Sequence, residues 1–208
     1  ATAAVQGVGA MGAAVCRYFT ERGGEVRYLA DPRIDGGWRL QGPLAGELLE
    51  AVARMEFSTA RDLLESHGHE RMDMDDILWT DVDVLFPCAV QDVIDADNQH
   101  AVKAAVVVEG ANNPCSSGGR RALHERGLPV IPDFIANPGG AIAASVEMTS
   151  AVTDEENARS RAKVLEAKRT TEALVEKNVI EVLEIADDHQ AALVDAASLL
   201  ALRRVLGS

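Results

Sequence analysis

The pattern of apolar and polar residues divides the chain into a part with short strands and a part with helices only. Short, mainly apolar segments predict strands at residues 3–6, 25–30, 83–86, 105–109 and 129–131. The first two runs enclose a helical pattern, and a strand–helix–strand unit implies parallel strands. The run at 105–109 is rich in β-branched residues, so we expect it at the centre of the sheet.

The segments between these runs predict helices and loops. Residues 32–43 are rich in Gly and Pro, and residues 68–76 are polar and acidic, so both segments predict loops. Ser58 is the predicted N-cap of one helix. Helical periodicity predicts helices at residues 11–22, 44–54, 58–67, 97–104 and 116–126.

The last part of the chain predicts helices without intervening strands, at residues 141–150, 155–177 and 188–206. The whole chain therefore predicts an α/β fold. A doubly wound, mostly parallel, Rossmann-like domain is expected at residues 1–150, and a C-terminal helical extension that packs on it at 151–208. The apolar stripe predicted along these helices is formed by Val164, Thr171, Leu174, Val175, Val182 and Leu183.

Charge and composition exclude several classes of function. Asp and Glu outnumber Lys and Arg by 33 to 20, for a net charge of −13, and no basic cluster breaks this background, so we expect no nucleic-acid partner. The most apolar stretch, at residues 106–108, is far shorter than the roughly 20 residues that span a bilayer, which argues against a membrane role. The N-terminus lacks the pattern of a signal peptide. Three cysteines without a CxxC spacing indicate reduced thiols in a cytoplasmic protein.

The His and Asp residues at 67–76 are a candidate metal site, and Cys88 is a candidate nucleophile. Residues 67–76 contain two His and three Asp, but their spacing matches no standard ligand set, so no metal is predicted. No His is placed by the sequence to activate Cys88 as a nucleophile. A thiol that lines the cofactor or belongs to the core is the better interpretation of Cys88.

The strongest local motif is a glycine turn, Gly7-Val8-Gly9-Ala10-Met11-Gly12, between a predicted strand and a predicted helix. Gly7 would permit the tight turn, Gly9 would let a pyrophosphate approach the backbone, and Gly12 would let the helix pack close to the strand. The N-terminus of the helix would offer N–H groups and a partial positive charge to the phosphates. The alternative is a glycine-rich turn that serves only packing.

Asp31 ends the second predicted strand, where its carboxylate could accept hydrogen bonds from the hydroxyls of the adenosine ribose. This placement favours NAD over NADP, because a carboxylate repels a 2′-phosphate. Arg33 leaves NADP open, since it is close enough in sequence to pair with that phosphate. An Asp followed by Pro32 is also a common opening of a loop.

Four segments, at residues 6–12, 83–89, 107–114 and 132–140, together resemble the glutamate/leucine/phenylalanine/valine dehydrogenase family. Their order and spacing match the family's C-terminal nucleotide-binding domain across most of this chain. The resemblance implies a nicotinamide cofactor, NAD with NADP possible. Together the four segments are much more specific than the glycine turn by itself.

The resemblance also implies roles for residues at the predicted strand ends. Cys88 and Ala89 would lie along the cofactor, and Asn112 and Asn137 would lie near the nicotinamide ribose and carboxamide. An amide side chain both donates and accepts hydrogen bonds, which suits a carboxamide partner. Ordinary turn chemistry is the alternative for both asparagines. The expected cofactor-binding residues are Gly7, Gly9, Ala10, Met11, Gly12, Asp31, Cys88, Ala89, Asn112 and Asn137.

The activity that the resemblance implies is the reversible oxidative deamination of an L-amino acid to a 2-oxo acid and ammonia, with NAD(P) taking the hydride. In this family the catalytic Lys and Asp lie in an N-terminal substrate domain, and no segment of this chain resembles that domain. We therefore assign no catalytic residue and expect the isolated chain to be inactive. We expect the full-length protein to form a homo-oligomer.

Two departures from the family and two alternative interpretations stay open. Ala10 stands where the family's glycine turn usually carries Asn, and Ala144 stands where glutamate-specific members carry Ser, which puts glutamate as the substrate in doubt. One alternative is a stand-alone dinucleotide-binding or sensing module without turnover. The other is a different two-domain dehydrogenase that shares only the glycine turn.

Overall fold

The chain divides into two structural units. The structure is a computed structural model and describes residues 1–149 and 156–207. The first unit is Ala1–Ile131 and the second is Pro132–Ser208. The domain boundary expected from the sequence, between residues 150 and 151, lies outside the described residues.

A seven-stranded sheet forms the centre of the first unit. Its strands are β1 (Thr2–Gln6), β2 (Glu25–Asp31), β3 (Gly36–Arg39), β4 (Glu70–Met72), β5 (Val84–Pro87), β6 (Val106–Val108) and β7 (Val130–Ile131). Their order across the sheet is β4-β3-β2-β1-β5-β6-β7. The strands from β2 to β7 in this order run parallel, whereas β3 is antiparallel to both β2 and β4. The mostly parallel, Rossmann-like fold class is confirmed.

Helices pack on both faces of this sheet. They are α1 (Ala10–Glu21), α2 (Gly46–Ala53), α3 (Phe57–Ser66) and α4 (Ser117–Glu125). Successive residues of a strand point to opposite faces, and β1 follows this rule. Val5 belongs to one apolar cluster with Leu64 of α3, whereas Ala4 belongs to a second cluster with Leu123 of α4. The sheet is therefore doubly wound, as the sequence predicts.

Two segments predicted to be loops instead contain the antiparallel strands β3 and β4, so these two predictions are wrong. A Cβ at Gly37 would lie 2.8 Å from the carbonyl oxygen of Asp73, so glycine lets the two backbones approach. Trp38 of β3 is buried, and its Nε1–H donates to the carbonyl oxygen of Ile34 at 2.8 Å. Pairing with neighbouring strands, not local periodicity, makes these residues extended: β3 pairs with the preceding strand β2 and with β4, which is distant in sequence.

Two other local predictions also fail. β6 is the second strand from one edge, and β1 occupies the centre. Val107 is nevertheless fully buried. A run of β-branched residues indicates a strand that is covered on both faces, which does not require a position at the centre of the sheet. α3 begins at Phe57 with Glu56 as its N-cap, so Ser58 lies in the first turn and does not cap the helix.

The helix predicted at residues 97–104 is only a short 3₁₀ helix, Gln99–Ala101. The preceding turn satisfies its backbone with side chains. Oδ1 of Asp95 accepts hydrogen bonds from the N–H groups of Asp97 (2.8 Å) and Asn98 (2.9 Å), and Oδ1 of Asn98 accepts one from the N–H of Asp95 (2.9 Å). Such side-chain bonds compete with helical hydrogen bonds, which explains the shortening.

The second unit consists of helices, as predicted. They are α5 (Asp133–Ala136), α6 (Gly139–Thr149), α7 (Glu156–His189) and α8 (Leu193–Leu206). Helices α5, α6 and α8 all pack against α7, which runs without a break past the predicted end at residue 177. Among the described residues, none of these helices combines the length and the apolar character needed to cross a bilayer.

The predicted apolar stripe is only partly covered. Val182 of α7 is fully buried, whereas Leu174 and Leu183 are 40% and 46% exposed and Val164 is 67% exposed. At 3.6 residues per turn, Leu174 and Leu183 point roughly 80° and 100° away from Val182, on opposite sides of it. The packed face of α7 is therefore narrower than the sequence pattern indicates.

Candidate nucleotide-binding site

The glycine turn joins β1 to α1 and is closely packed at two of its three glycines. Gly7 has a φ of +86° and donates its N–H to the carbonyl oxygen of Ala30 at 2.6 Å. A Cβ at Gly7 would lie 2.8 Å from Cα and Cβ of Ala89, and a Cβ at Gly12 would lie 1.8 Å from the carbonyl oxygen of Gly7. No larger residue fits at either place without movement of the backbone.

The third glycine is open where a phosphate would have to approach. Gly9 is the N-cap of α1 and no side chain caps the helix. A Cβ on Gly9 would meet only Nη2 of Arg33, at 3.2 Å, among the described residues outside its immediate chain neighbours. The first hydrogen bond of the helix runs from the N–H of Ala13 to the carbonyl oxygen of Gly9 (2.8 Å), so the N–H groups before Ala13 have no acceptor within the helix.

This arrangement suits an anion. The helix N-terminus carries a partial positive charge, and the N–H groups of Ala10, Met11 and Gly12 precede the first helical hydrogen bond. The backbone at Gly9 is accessible, while Gly7 and Gly12 hold the turn against its neighbours. The residues of the turn therefore fit the pyrophosphate of a dinucleotide.

Asp31 ends β2 and is almost completely buried, with 4% of its side chain exposed. Its Oδ2 accepts hydrogen bonds from the N–H of Val8 (2.9 Å) and from Nη2 of Arg33 (2.7 Å). Its Oδ1 accepts hydrogen bonds from the N–H (2.9 Å) and Nε (2.8 Å) of Arg33. The carboxylate thus ties the end of β2 to the glycine turn, and its oxygens already accept four N–H groups.

The ionisation of this pair follows from the same contacts. Burial by itself raises the pKa of the Asp31 carboxyl, but the hydrogen bonds from Arg33 and Val8 outweigh it and hold that pKa below its usual value. The hydrogen bond to Asp31 raises the pKa of Arg33. Both groups are therefore charged at neutral pH.

Arg33 extends from the end of β2 across the glycine turn. Its Cζ lies 4.1 Å from the centre of the Phe57 ring, so the guanidinium stacks on an aromatic face. Nη2 reaches the space beside Gly9, and about half of the side chain (49%) is exposed. The sequence pointed to Arg33 only as a possible partner of a phosphate, without its bonds to Asp31.

Cys88 and Ala89 follow β5 and lie beside the glycine turn, as expected from the parallel order of β1 and β5. The N–H of Cys88 donates to the carbonyl oxygen of Gln6 at 2.7 Å. A Cβ at Gly110 would lie 2.3 Å from Sγ of Cys88, so the thiol packs directly on that glycine. Burial raises the pKa of Cys88 to about 12, which makes it a protonated packing group and not a nucleophile at neutral pH.

Gln6 is a further polar residue at the same strand ends. Its Oε1 is buried and has no hydrogen-bond partner among the described residues. Buried polar atoms almost always have a partner, so this acceptor at the end of β1 is consistent with a ligand or a water beside the turn. Gln6 lies in the family segment at residues 6–12, but its sequence context indicates no role for it.

Asn112 lies in the loop after β6 and is exposed. The loop is held at its start by the N–H groups of Gly110 and Ala111, which donate to the carbonyl oxygen of Pro87 at 3.1 and 2.9 Å. The end of β6 is thereby joined to the end of β5. Asn112 is thus presented at the carboxyl edge of the sheet, where ligands bind in open α/β folds.

A buried ion pair that the sequence analysis missed supports this loop. Glu109 is fully buried, and its Oε1 and Oε2 accept hydrogen bonds from Nε (2.9 Å) and Nη2 (2.6 Å) of Arg120 on α4. Nη2 of Arg120 also donates to Oδ1 of Asn113 at 3.1 Å. The only signal in the sequence was a Glu directly after a buried apolar strand.

Asn137 belongs to the second unit. It follows α5, and its N–H donates to the carbonyl oxygen of Asp133 at 2.6 Å. Its contact with a cofactor stays a prediction. Ala144, the position that bears on the substrate, is an exposed residue of α6.

The His and Asp side chains at residues 67–76 are the candidate metal ligands of the sequence. The rings of His67 and His69 have their centres 6.3 Å apart, and Nδ1 of His69 accepts a hydrogen bond from the N–H of Gln41 at 3.2 Å. In the part of the chain that the structure describes, no group of three or more His, Cys, Asp or Glu side chains could hold a metal ion.

Comparison with known proteins decides the family. The family model described as Glutamate/Leucine/Phenylalanine/Valine dehydrogenase matches residues 1–208. The chain belongs to this family. Membership confirms the resemblance seen in the four sequence segments and favours a dehydrogenase domain over a stand-alone binding module.

Individual relatives of this glutamate/leucine/phenylalanine/valine dehydrogenase family member agree. The chain is 32% identical over 210 residues to the NADP(+)-dependent glutamate dehydrogenase of Pyrobaculum calidifontis, covering 98% of this chain and 47% of that protein. It is 28% identical over 204 residues to the NAD-specific glutamate dehydrogenase of Peptoniphilus asaccharolyticus, covering 97% and 47%. The chain spans about half the length of these relatives.

The fold agrees as well. The hetero-hexameric glutamate dehydrogenase of Thermus thermophilus, in its Leu-bound form, superimposes with a TM-score of 0.71 at 24% identity. The match covers 98% of this chain and 45% of that one. At this identity the likeness establishes the shared architecture.

Proposed function

We propose that this chain is the NAD(P)-binding half of an L-amino-acid dehydrogenase that converts an amino acid reversibly to a 2-oxo acid and ammonia. The observation that carries the proposal is the open backbone at Gly9, at the N-terminus of α1, in a chain of this family. Glutamate dehydrogenases named for NADP and for NAD are both among the relatives, which supports NAD with NADP possible.

The residues of the first unit would divide the binding between them. The N–H groups of Ala10, Met11 and Gly12 would bind the pyrophosphate over Gly9, since the helix N-terminus favours negative charge. Asp31 would lie at the adenosine end of the cofactor.

The nicotinamide end would use the strand ends on the other side of the turn. Cys88, Ala89 and Asn112 follow β5 and β6, and an exposed amide suits a carboxamide or a ribose hydroxyl. Asn137 is proposed as a further cofactor-binding residue. When bound, the cofactor accepts the hydride from the α-carbon of the substrate.

Catalysis and assembly are proposed to involve more than these residues. We assign no catalytic residue and no metal to this chain, because the acid–base groups implied by the family resemblance belong to a substrate domain. The intact protein is proposed to be a cytoplasmic homo-oligomer with an amino acid as its small-molecule substrate. A hetero-hexameric glutamate dehydrogenase of known structure supports an oligomer, and assembly from identical chains is part of the proposal.

Titration of the folded chain with NADH or NADPH, followed by fluorescence or calorimetry, tests the binding function. Replacing Gly9 with Val should abolish binding, because the branched side chain fills the space that the pyrophosphate needs. Gly9→Val should still fold, since a Cβ there meets only the tip of the flexible Arg33 side chain.

Gly42→Val is the matched control. A Cβ at Gly42 meets no atom within 4 Å among the described residues, and its position in the bend after β3 is outside the glycine turn. This variant should bind as the wild type does. If the folded wild-type chain binds neither cofactor at millimolar concentration, or if Gly9→Val binds as well as Gly42→Val, the proposal is wrong.

A further inference from the structure

We propose that Arg33 binds the 2′-phosphate of NADP(H), and that this chain therefore binds NADP(H) more tightly than NAD(H). The inference rests on the proposed function, because it assumes that the glycine turn binds a dinucleotide. It reverses the cofactor preference that the sequence favoured. The reason is that Arg33 occupies the carboxylate that was expected to select NAD.

The first step concerns the acceptor. An ionised carboxylate has about four lone-pair sites, and the oxygens of Asp31 accept four N–H groups from Val8 and Arg33. A free 2′-hydroxyl of NAD could donate to Asp31 only by displacing or sharing one of these bonds. The carboxylate that would otherwise accept a hydrogen bond from the free 2′-hydroxyl is therefore already satisfied within the protein.

The second step concerns the donor. A guanidinium has five N–H groups, and among the described residues Arg33 uses its Nε and Nη2 groups, both on Asp31. The other N–H groups remain for an anion. Because the Asp31–Arg33 pair has no net charge, the carboxylate repels a 2′-phosphate far less than an unpaired Asp would.

The third step concerns position and rigidity. The ribose of a bound dinucleotide lies at the end of the second strand of a Rossmann sheet, where a nearby Arg accommodates a 2′-phosphate. Arg33 lies two residues beyond the end of β2, with Nη2 beside Gly9. Two bonds to Asp31 and the Phe57 ring fix the plane of its guanidinium. A fork that is already oriented loses little freedom when it binds a phosphate.

The competing explanation is that Arg33 serves only to neutralise buried Asp31 and to close the short 3₁₀ helix at Pro32–Ile34. The two explanations differ in one measurable quantity. If Arg33 only neutralises Asp31, the wild type should bind 2′,5′-ADP no more tightly than 5′-AMP. If Arg33 binds the phosphate, the wild type should prefer the compound that carries the 2′-phosphate.

The experiment measures dissociation constants of the folded chain for NADPH, NADH, 2′,5′-ADP and 5′-AMP. The last two compounds differ by the 2′-phosphate and carry no nicotinamide. Charge-assisted hydrogen bonds predict that NADPH binds about tenfold more tightly than NADH, and 2′,5′-ADP about tenfold more tightly than 5′-AMP. Circular dichroism establishes that every variant is folded.

The variants are Arg33→Leu and Arg33→Lys. Arg33→Leu should weaken NADPH and 2′,5′-ADP about tenfold and change NADH and 5′-AMP by less than about threefold. Arg33→Lys keeps the positive charge beside Asp31 but lacks the planar fork, so it should retain part of the preference. This second variant keeps the test decisive if Arg33→Leu does not fold.

Arg39→Leu is the matched control. Arg39 is an exposed arginine of β3 that pairs with Glu70 at 3.6 Å. In the β2–β3 register it stands opposite Tyr28, whereas Gly36 stands opposite Asp31, so Arg39 lies at the far end of the strand pair. Its replacement should leave all four affinities unchanged.

Two results would overturn the inference and leave the proposed function intact. One is NADH binding as tightly as NADPH or more tightly. The other is an NADPH-to-NADH affinity ratio that is the same in the wild type and the Arg33 variants, since Arg33 would then not bind the 2′-phosphate. A folded wild-type chain that binds neither NADPH nor NADH would overturn the proposed function and this inference with it.

Discussion

Replacing Arg120 with Leu should destabilise the first unit strongly, because it removes the arginine that pairs with the buried carboxylate of Glu109. Glu109 is fully buried, and 11% of the Arg120 side chain is exposed. Two short hydrogen bonds, of 2.9 and 2.6 Å, join the groups. The pair connects α4 to the end of β6, where the loop with Asn112 begins.

The magnitude follows from what remains after the substitution. Removing one partner of a buried ion pair costs about 3–5 kcal/mol, because the other charge stays buried. Oε1 of Glu109 also accepts a hydrogen bond from the N–H of Cys115 at 3.3 Å, which keeps part of the carboxylate satisfied. We therefore expect the lower end of that range, about 3 kcal/mol. This is a large share of the roughly 5–15 kcal/mol that stabilises a folded domain.

Urea unfolding followed by circular dichroism measures the effect, as a lower midpoint with an unchanged slope. Glu109→Gln removes the charge, so Arg120→Leu in that background should cost only about 1 kcal/mol. The two substitutions should thus be non-additive by about 2 kcal/mol. Arg54→Leu is the control, because the Arg54–Glu50 pair of α2 is exposed at both ends, and its loss should cost about 0.5 kcal/mol or less.

Hydrogen exchange links this pair to the candidate site. Because Arg120 also donates to Asn113, Arg120→Leu should speed amide exchange in the loop at residues 110–116 more than in β1. A cost below about 1 kcal/mol for Arg120→Leu, or strict additivity with Glu109→Gln, would refute the argument. Either result would mean that the carboxylate finds other partners without loss.

Two other predictions concern acid stability and turnover. The pKa of Asp31 is held below its usual value, so the stability that this carboxylate contributes is complete above about pH 4 and is lost as the pH falls through the lower pKa of the folded state. The wild type should thus have a higher unfolding midpoint than Asp31→Asn at pH 6, and the difference should narrow by pH 2–3. A difference that widens on acidification would contradict this prediction. The isolated chain should not oxidise any amino acid at a useful rate, because alignment of the substrate with the cofactor and acid–base catalysis would come from a substrate domain. In a protein that includes that domain, Ala144 should allow an apolar amino acid to react at least as well as glutamate. An activity screen with glutamate, leucine, valine and phenylalanine checks both predictions. Turnover by the isolated chain would disprove the first, and strict glutamate preference in the larger protein would disprove the second.

The parallel strands and the glycine turn could be predicted from the sequence because local rules decide them. A buried parallel strand needs an unbroken apolar run, and residues 3–5 and 105–108 have one. The glycines at positions 7, 9 and 12 are required by steric contacts within a single turn. In the structure, a Cβ at the first or the last of them would collide with backbone atoms. The four family segments could likewise be identified from the sequence, because the resemblance depends on their residues, order and spacing.

The edge strands and the bonding of the site depended on tertiary structure. β3 and β4 carry little periodicity. β3 is a strand because it pairs with both β2 and β4, and β4 is a strand because it pairs with β3, which is distant in the chain. The sequence placed an acid at the end of β2, but which donors reach it depends on how the glycine turn and the Arg33 side chain fold around it.

The same reason separates Asp31 from Glu109. Both are acidic residues after an apolar strand, and the sequence alone assigns neither a partner. Asp31 finds Arg33 two residues away, whereas Glu109 finds Arg120 on the following helix, eleven residues away. A local pattern determines that a strand ends in a carboxylate, but burial gives that carboxylate its chemistry, and burial is decided only when the helices close over the sheet.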